Sequence, residues 1–265
     1  MYKKYFGKYF YAFLILFILT GCRKEYKKDA NALAIEPQAK RVSFPIDDGV
    51  TNSIEAAGGL ENWGQIKQLG LDCLVTYYQS NGSSYLTEQH YDVYPWSNSI
   101  RISGEESQGR YIWQLSQGRF DILEDNKQIR NSLVNIGNSC IAEAILNIIT
   151  IPARFIDNSV VFTRGIAPII VQGKLYYPIT RQGRNFSENS VDVSNAVFYQ
   201  DTNNYLVDMV WLACQNGENF VLVRGHDYIK IKNSDIFIPS KIEIFKTDAQ
   251  GMSKNKLVKI EINST

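Results

Sequence analysis

Apolar and polar residues alternate along much of the chain, which is the pattern of β-strands with one buried face. The first such stretch runs from Leu69 to Tyr78, and Asn81-Gly82 then gives a strong signal for a hairpin turn. The alternation returns from Tyr85 to Tyr94. Three more strands are predicted at Ser99–Ser103, Arg110–Leu115 and Phe120–Leu123. Strands that follow one another in this way favour antiparallel pairing of neighbours.

The pattern changes in the middle of the chain. Residues 138–149 have helical periodicity with apolar residues nearly all round, so this helix needs to be covered on most sides. Pro152 limits it or kinks it. A polar segment at 181–193 predicts a loop. Strands are again predicted on both sides of a turn at Gln172-Gly173 within residues 168–179, and at Ala196–Gln200, Tyr205–Ala213, Asn219–Arg224, Ile242–Lys246 and Leu257–Ile262.

These elements predict a mainly β (α+β) protein with one large antiparallel sheet of about ten strands. A sheet of this size tends to curl. Burying both the sheet and the apolar helices is simplest if the helices pack on the concave face. Two shorter helical segments, near residues 51–57 and 60–66, precede the first strand.

The amino terminus carries an export signal. Three lysines precede an apolar run from Tyr9 to Leu19, which is too short for a membrane-spanning helix. Leu19-Thr20-Gly21-Cys22 resembles a bacterial lipobox, and the resemblance implies cleavage before Cys22 and diacylation of its thiol; the alternative is an ordinary signal with an incidental cysteine. We expect a signal peptide at 1–21, a lipidated cysteine and tether at 22–50, and one folded domain at 51–265.

Two acyl chains hold a protein stably on a bilayer, whereas one chain does not. Arg23 follows the cysteine, and the absence of aspartate at this position resembles the signal for the outer membrane. We therefore expect attachment to the outer membrane through acylated Cys22.

Three more cysteines follow, at positions 73, 140 and 214. Export permits a disulfide, but an odd number leaves at least one thiol free. All three lie in apolar settings, so the sequence favours buried thiols over a pair.

Charge and motifs exclude several functions. The formal charge is +1 and no basic stripe is interleaved with aromatic residues, so nucleic-acid binding is not expected. No nucleophile elbow, zinc spacing or phosphate loop occurs. The chain has only two histidines, His90 and His226. We predict no catalytic residues, no metal site and no cofactor.

Three motifs resemble a group of LolA-like lipoproteins. Glu55–Trp63 resembles an "A-H-G-G-L-x-x-W" opening, with Ala57 where the group has histidine. Residues 198–207 resemble a "D-x-x-T-x-L-L-V" turn between two strands. Asp227-Tyr228 with Ile236–Ile242 resembles a "D-Y … G-I-x-F-P-x-K-I" ending, with Asn233–Asp235 in place of the glycine turn. The resemblance spans residue 51 to the end. Within it, residues 125–190 match only in their general character and contain none of the three motifs.

The resemblance implies a half-open antiparallel barrel closed by helices, as in the carrier LolA, the receptor LolB and the sensor RseB, which hold acyl chains or lipidated peptides. We expect a LolB-like function here, with a hydrophobic ligand in the cavity. The alternatives are an RseB-like interaction module without catalysis and, third, a hydrolase that uses His226. The candidate cavity wall consists of Tyr111, Trp113, Leu115, Tyr205, Val207, Met209 and Trp211, although ordinary core packing explains the same pattern.

Overall fold

The computed structural model describes residues 48–106, 109–125, 127–129, 132–156, 160–183, 196–214 and 219–264. The predicted signal peptide, Cys22 and most of the predicted tether lie outside these residues. Two short helices open the described part, α1 (Asp48–Ala56) and α2 (Leu60–Gln65). Helix α1 begins three residues before the first N-cap that its sequence suggests, Thr51.

Fourteen strands and one long helix follow. The strands before the helix are β1 (Leu69–Tyr78), β2 (Ser84–Tyr94), β3 (Ser99–Glu106), β4 (Gly109–Ser116), β5 (Arg119–Glu124) and β6 (Lys127–Ile129). The helix is α3 (Ser132–Phe155). The strands after it are β7 (Val160–Arg164), β8 (Ile169–Val171), β9 (Lys174–Gly183), β10 (Ala196–Asp201), β11 (Val207–Ala213), β12 (Phe220–Lys230), β13 (Phe237–Thr247) and β14 (Ser253–Ser264).

All strands join one antiparallel sheet, which confirms the predicted fold class. The order is β6-β5-β4-β3-β2-β1-β14-β13-β12-β11-β10-β9-β7, and β8 pairs only with β9. The first and last strands, β1 and β14, are therefore neighbours in the middle of the sheet. Strands β6 and β7 form its two ends, so the described sheet is open.

Helix α3 carries the chain from one end of the sheet to the other, between β6 and β7. Its 24 residues would measure roughly 36 Å if straight. It contacts β3, β4 and β5 on one side and β11, β12 and β13 on the other. We call the sheet face that α3 covers the inner face and the opposite one the outer face.

The apolar sequence of α3 explains its position. Ile145, Leu146 and Ile149 are buried almost completely and belong to one core cluster with inner-face residues of both halves of the sheet. Thr150 has non-helical backbone angles and its hydroxyl donates to the carbonyl of Leu146 at 2.6 Å, two residues before Pro152. This confirms the kink that the proline predicts.

The described structure adds a disulfide that the sequence analysis did not favour. Cys140 in α3 and Cys214, just after β11, form a disulfide bond, and only Cys73 is a free thiol among the described residues. The prediction of three buried thiols was therefore wrong for two of them. The tertiary fold brings together residues 74 positions apart, and spacing along the chain contains no signal for that pairing.

Two of the resembling motifs meet at one end of the domain. Gly58 has a φ of 113°, and a side chain there would overlap the carbonyl oxygen of Asp235. The amide of Phe237 donates to the carbonyl of Ala57 at 3.0 Å, and Trp63, which is fully buried, donates to the same carbonyl at 2.9 Å. These motif residues hold α1 and α2 against the sheet, so their role is structural.

Candidate ligand-binding face

Five aromatic side chains form a continuous row on the inner face of β1, β2, β4 and β5. We call this row the aromatic wall, and it consists of Tyr77, Tyr85, Tyr111, Trp113 and Phe120. Tyr77 stacks on Tyr85 with ring centroids 5.1 Å apart. Trp113 is the centre of the row, with Tyr111, Phe120 and Tyr77 at 5.8, 6.3 and 6.4 Å. Rings at these separations form favourable edge and offset contacts.

Local sequence explains how the row forms. The hairpin turn that follows β1 pairs Tyr77 directly with Tyr85. On β3, Gly104 lies opposite Tyr111, and a side chain at Gly104 would come within 2.5 Å of the Tyr111 hydroxyl. The absence of a side chain therefore lets the Tyr111 ring lie across β3 and reach β2.

A small polar network lies behind the wall. The Gln89 side-chain amide donates to the hydroxyls of Tyr111 and Tyr77 at 2.6 and 2.8 Å. The hydroxyl of Tyr91 donates to the side-chain oxygen Oε1 of Gln89 at 2.9 Å. Gln89 and Tyr91 are buried, so these bonds offset the cost of desolvating their polar atoms. They also fix the orientation of three rings.

The buried titratable groups of this face are neutral at physiological pH. Burial raises the pKa of Cys73 to about 12, with a smaller contribution from Asp72. Burial likewise raises the pKa of Tyr91 well above its usual value. The Cys73 thiol is thus a weak nucleophile. The buried part of this face therefore suits an apolar ligand better than an ionic one, and the charged residue of the face, Glu124, lies exposed beside Tyr111.

The inner face is sealed in one region and partly open in another. Under α3 the side chains of both layers are packed almost without exposure. The aromatic wall differs, because Tyr77, Trp113 and Phe120 are only partly buried and Tyr85 is 42% exposed. Apolar surface that a ligand can reach on this face is therefore found at the wall.

The structure brings three of the predicted wall residues together. Tyr111, Trp113 and Leu115 alternate with outward-facing neighbours along β4 and share the inner face. Their companions in the aromatic wall, Tyr77, Tyr85 and Phe120, were not among the predicted candidates. The alternation of β1 and β2 contained a signal for two of them, because it placed Tyr77 and Tyr85 on the apolar faces of their strands. The hairpin register did not, because a two-residue turn at Asn81-Gly82 would have placed Tyr85 opposite Tyr78, whereas the structure pairs it with Tyr77.

The four candidates at 205–211 do not share a face. Val207 lies in the main core of the inner face, whereas Met209 and Trp211 belong to a second cluster with Tyr176 and Leu222 on the outer face. The expectation of one face was wrong here because a β-bulge occurs. Gln200 pairs with Val207 and Tyr199 with Met209, so Asp208 is an extra residue that reverses the alternation.

Tyr205 precedes β11 rather than starting it. Its φ is 60°, its amide donates to the carbonyl of Asp201 at 3.0 Å, and its side chain is 39% exposed. Its carbonyl accepts a hydrogen bond from the Ser53 hydroxyl of α1 at 2.9 Å. Tyr205 is thus a turn residue on the flank of the domain, outside the inner face.

The outer face of β1–β4 has a different character. A groove of about 780 Å³ runs across it, lined by charged and polar side chains that include Asp72, Glu88, His90, Arg101, Glu105 and Arg110. His90 Nδ1 lies 2.7 Å from Asp72 and its Nε2 3.4 Å from Asp92. The hydrogen bond to Asp72 is the main reason that the pKa of His90 is raised.

The second histidine, His226, pairs with a carboxylate. His226 Nε2 lies 3.4 Å from Glu243 on the outer face, and Glu243 also binds Lys256. Within the described part of the chain, its contact is with this carboxylate and not with a serine hydroxyl. The described residues also contain no cluster of His, Cys, Asp or Glu that could hold a metal ion. None of the described helices is long and apolar enough to cross a membrane.

Comparison with known proteins gives matches in structure alone. No protein-family model matches the chain, and no curated protein matches it significantly. A LolA superfamily protein from Nitrosomonas europaea superimposes with a TM-score of 0.53 at 10% sequence identity, covering 82% of this chain and 91% of its own.

Two further solved structures are similar at lower scores. One is a Vibrio parahaemolyticus domain named for outer membrane lipoprotein sorting, with a TM-score of 0.49, 11% identity and coverage of 81% of this chain and 92% of its own. The other is a DUF1329 family protein from Desulfovibrio piger, with a TM-score of 0.46, 9% identity and coverage of 83% of this chain and 91% of its own. The superposition on the Nitrosomonas protein, together with the open antiparallel sheet and its inner helices, shows that this chain has the LolA-like fold.

Proposed function

We propose that this chain is a lipid-anchored protein of the bacterial envelope that binds a hydrophobic ligand on the inner face of its half-barrel, in the manner of LolB. The ligand would be an acyl chain, a lipid or a lipidated peptide. The observation that carries the proposal is the aromatic wall, an apolar and partly exposed surface on the face that is otherwise sealed.

The chemistry of the wall fits such a ligand. An acyl chain is recognised by burial without direction, at about 0.8 kcal/mol per methylene group. The rings of the wall offer flat apolar contact, and the Gln89 network keeps them in place. Cys73 and Tyr91, which are buried beside the rings, are neutral at physiological pH. The nearest charge on this face is Glu124, the exposed cross-strand neighbour of Tyr111 at the edge of the wall.

The proposed envelope location rests on the sequence of the amino terminus. The apolar run, the lipobox-like residues and Cys22 support export and acylation, and Arg23 supports the outer membrane. Metabolic labelling with palmitate tests the anchor: the wild type should be labelled and Cys22→Ala should not. Equal labelling of both would disprove acylation at Cys22.

Ligand binding is tested with a fluorescent fatty acid and two tryptophan variants. Trp113→Ala removes the centre of the aromatic wall, whereas Trp211→Ala removes a ring of similar burial that stacks on Phe220 on the outer face. Loss of the Trp113 contacts should weaken binding about tenfold, which corresponds to roughly 1.4 kcal/mol. The Trp211 variant should bind as the wild type does. Equal binding by all three proteins, or no binding by the wild type, would rule out the wall as the ligand site.

We propose a purely non-catalytic role. In the described structure both imidazole rings are paired with carboxylates, the Ser103 hydroxyl reaches only the backbone carbonyl of His90, and the free cysteine is buried with a raised pKa. The fold also supports this proposal, because it is similar to that of the LolA superfamily protein from Nitrosomonas europaea.

The second candidate is an RseB-like module that binds another envelope protein. The outer groove on β1–β4 favours it, because a mixed set of acidic and basic side chains suits a polar protein segment. This function predicts a stoichiometric partner in pull-downs that is lost in Arg101→Glu and retained in Trp113→Ala. The reverse pattern would favour the aromatic wall.

A further inference from the structure

The β8–β9 hairpin and the loop before it expose large aliphatic side chains. Ile166 is fully exposed, Ile170 is 73% exposed, and Ile169 and Leu175 are exposed by 42% and 46%. Ile170 and Leu175 pair across the two strands, so their side chains lie together. We call residues 165–175 the apolar hairpin. Single exposed apolar residues are common, but a contiguous group indicates an interaction site.

The apolar hairpin is held rigidly. Gln172 and Gly173 have φ values of 52° and 82°, the combination that closes a tight two-residue turn. At its base the amide of Gly165 donates to the carbonyl of Pro178 at 2.7 Å. Strand β9 continues into the main sheet, where it pairs with β7 and β10. The exposed side chains are thus presented with little conformational freedom to lose on binding.

The chain from Cys22 joins the domain beside the apolar hairpin. Helix α1 starts at Asp48, and a side chain at Gly49 would collide with Arg164, the residue that precedes the hairpin. Gln200 fixes this junction by donating to the carbonyl of Gly49 at 2.5 Å. The point where the anchor's tether ends and the base of the hairpin are therefore neighbours.

The surroundings match the boundary of a bilayer. Residues 164–177 contain no acidic residue, and the guanidinium of Arg164 lies 3.8 Å from the ring centroid of Tyr177 at the base of the hairpin. Lys174 is already paired with Asp201 and Asp208 of the main sheet, at 2.7 and 2.6 Å, so Arg164 is the basic residue of this flank. Tyr205, also exposed, lies on the same flank because its turn binds α1 through Ser53 and the amide of Thr202 approaches the carbonyl of Leu175 at 3.4 Å. Aliphatic side chains flanked by tyrosine and basic residues are typical of segments at the membrane interface.

We propose that the apolar hairpin inserts into the surface of the bilayer that carries the Cys22 anchor, so that the partner of this surface is lipid. The inference rests on acylation of Cys22, which belongs to the proposed function, but not on the aromatic wall. The 25 residues between Cys22 and Asp48 can span at most about 85 Å. Within that radius the hairpin is at high effective concentration near the membrane, so weak insertion is enough to orient the domain.

Vesicle flotation tests the hairpin without its anchor. The protein is the mature chain, residues 22–265, with Cys22→Ser, and the vesicles contain phosphatidylethanolamine and phosphatidylglycerol. The double variant Ile166→Ser/Ile170→Ser should reduce the partition coefficient about tenfold or more, because two exposed aliphatic side chains no longer enter the lipid. The control Leu86→Ser/Met252→Ser changes two apolar residues elsewhere that are exposed by 59% and 65%, and it should float as the parent does.

Three outcomes would overturn the proposal. They are absence of binding by the parent, equal loss in the control, and unchanged binding by the hairpin variant. Light scattering tests whether a second copy of the chain is the partner instead. That alternative is indicated if the parent does not bind vesicles but forms a dimer, and the hairpin variant is a monomer. Failure of the proposed function is seen separately, as loss of palmitate labelling at Cys22 or of fatty-acid binding, and the hairpin variant should bind the fluorescent fatty acid normally.

Discussion

The two halves of the sheet differ although one helix covers both. In the half after α3, the inner face of β10–β14 is mostly aliphatic and fully buried, and a disulfide ties it to the helix. In the half before α3, the inner face carries the aromatic wall and the Gln89 network, and part of it reaches solvent. One half therefore supplies stability, and the other has the surface that a ligand can reach.

The difference shows how a binding surface can coexist with a closed core. Aliphatic side chains pack without direction, so the half after α3 can be sealed by burial alone. Aromatic rings retain favourable contacts with one another even when one side is exposed. The hydrogen bonds to Tyr77 and Tyr111 then keep the partly exposed rings of the wall ordered.

Replacement of one phenylalanine in each half tests the comparison most strongly. Phe198 is fully buried and contacts the rings of Phe155 and Phe162 at 5.5 and 5.8 Å. Phe198→Ala should lower the free energy of unfolding by about 3–5 kcal/mol because it leaves a cavity. Phe120→Ala should cost only roughly 1–2 kcal/mol, since that ring is partly exposed. Equal losses in chemical denaturation would show that the two halves are packed alike.

Removal of the disulfide gives the next effect. Cys140→Ser/Cys214→Ser should lower the free energy of unfolding by about 2–4 kcal/mol, because the bond restricts the unfolded chain. Reducing agent should have the same effect on the wild type and none on the double variant. If the reduced and oxidised forms of the wild type were equally stable, this prediction would be wrong. Fatty-acid binding should change little, since the wall lies in the other half.

Gly104→Ala tests the wall itself. The new methyl group would displace the Tyr111 ring and break its bond to Gln89, at a cost of about 1–3 kcal/mol. The variant should also bind the fluorescent fatty acid more weakly. Gly70→Ala is the matched control, because Gly70 is also a strand glycine without a positive φ and the added methyl group would make only an ordinary contact, 3.6 Å from the His90 ring. Loss of binding in both variants would indicate a general effect on folding.

The smallest effect concerns His90 on the outer face. Because Asp72 raises its pKa above the unfolded value, its charge stabilises the fold below about pH 6.5, and this stabilisation fades as pH rises through the folded pKa. His90→Asn should cost less than about 1 kcal/mol at pH 5.5, since the pair is half exposed, and nothing at pH 9. Urea denaturation at both pH values measures this. A larger loss of stability at pH 9 than at pH 5.5 would contradict the assignment of this stabilisation to the charged form of His90.

Much of the fold could be predicted from residue patterns. The alternation identified most strands, the periodicity at 138–149 identified the core of α3, and Pro152 marked its kink. Strands β6 and β7 at the ends of the sheet were not predicted. They have only three and five residues, which is too short for an alternating pattern of apolar and polar residues to be recognised. The predicted loop at 181–193 was wrong for its first three residues, which continue β9 beyond the polar boundary.

The candidate site was predicted only in part, and β11 shows why. Both faces of that strand are buried, so its sequence is apolar at almost every position and cannot reveal which residues point inward. The bulge at Asp208 then reverses the alternation in a single step. Strand β4 has one solvent-facing side, and there the sequence assigned Tyr111, Trp113 and Leu115 to the correct face.

The pairing of β1 with β14 has a consequence for biogenesis. Every residue of β1 from Asp72 to Tyr77 needs a partner between Val258 and Ser264, almost at the end of the chain. If the chain is exported from its amino end as proposed, this central pairing cannot form until residues 258–264 have emerged. The β1–β6 meander can pair earlier, but β1 then keeps one unpaired edge until β14 arrives.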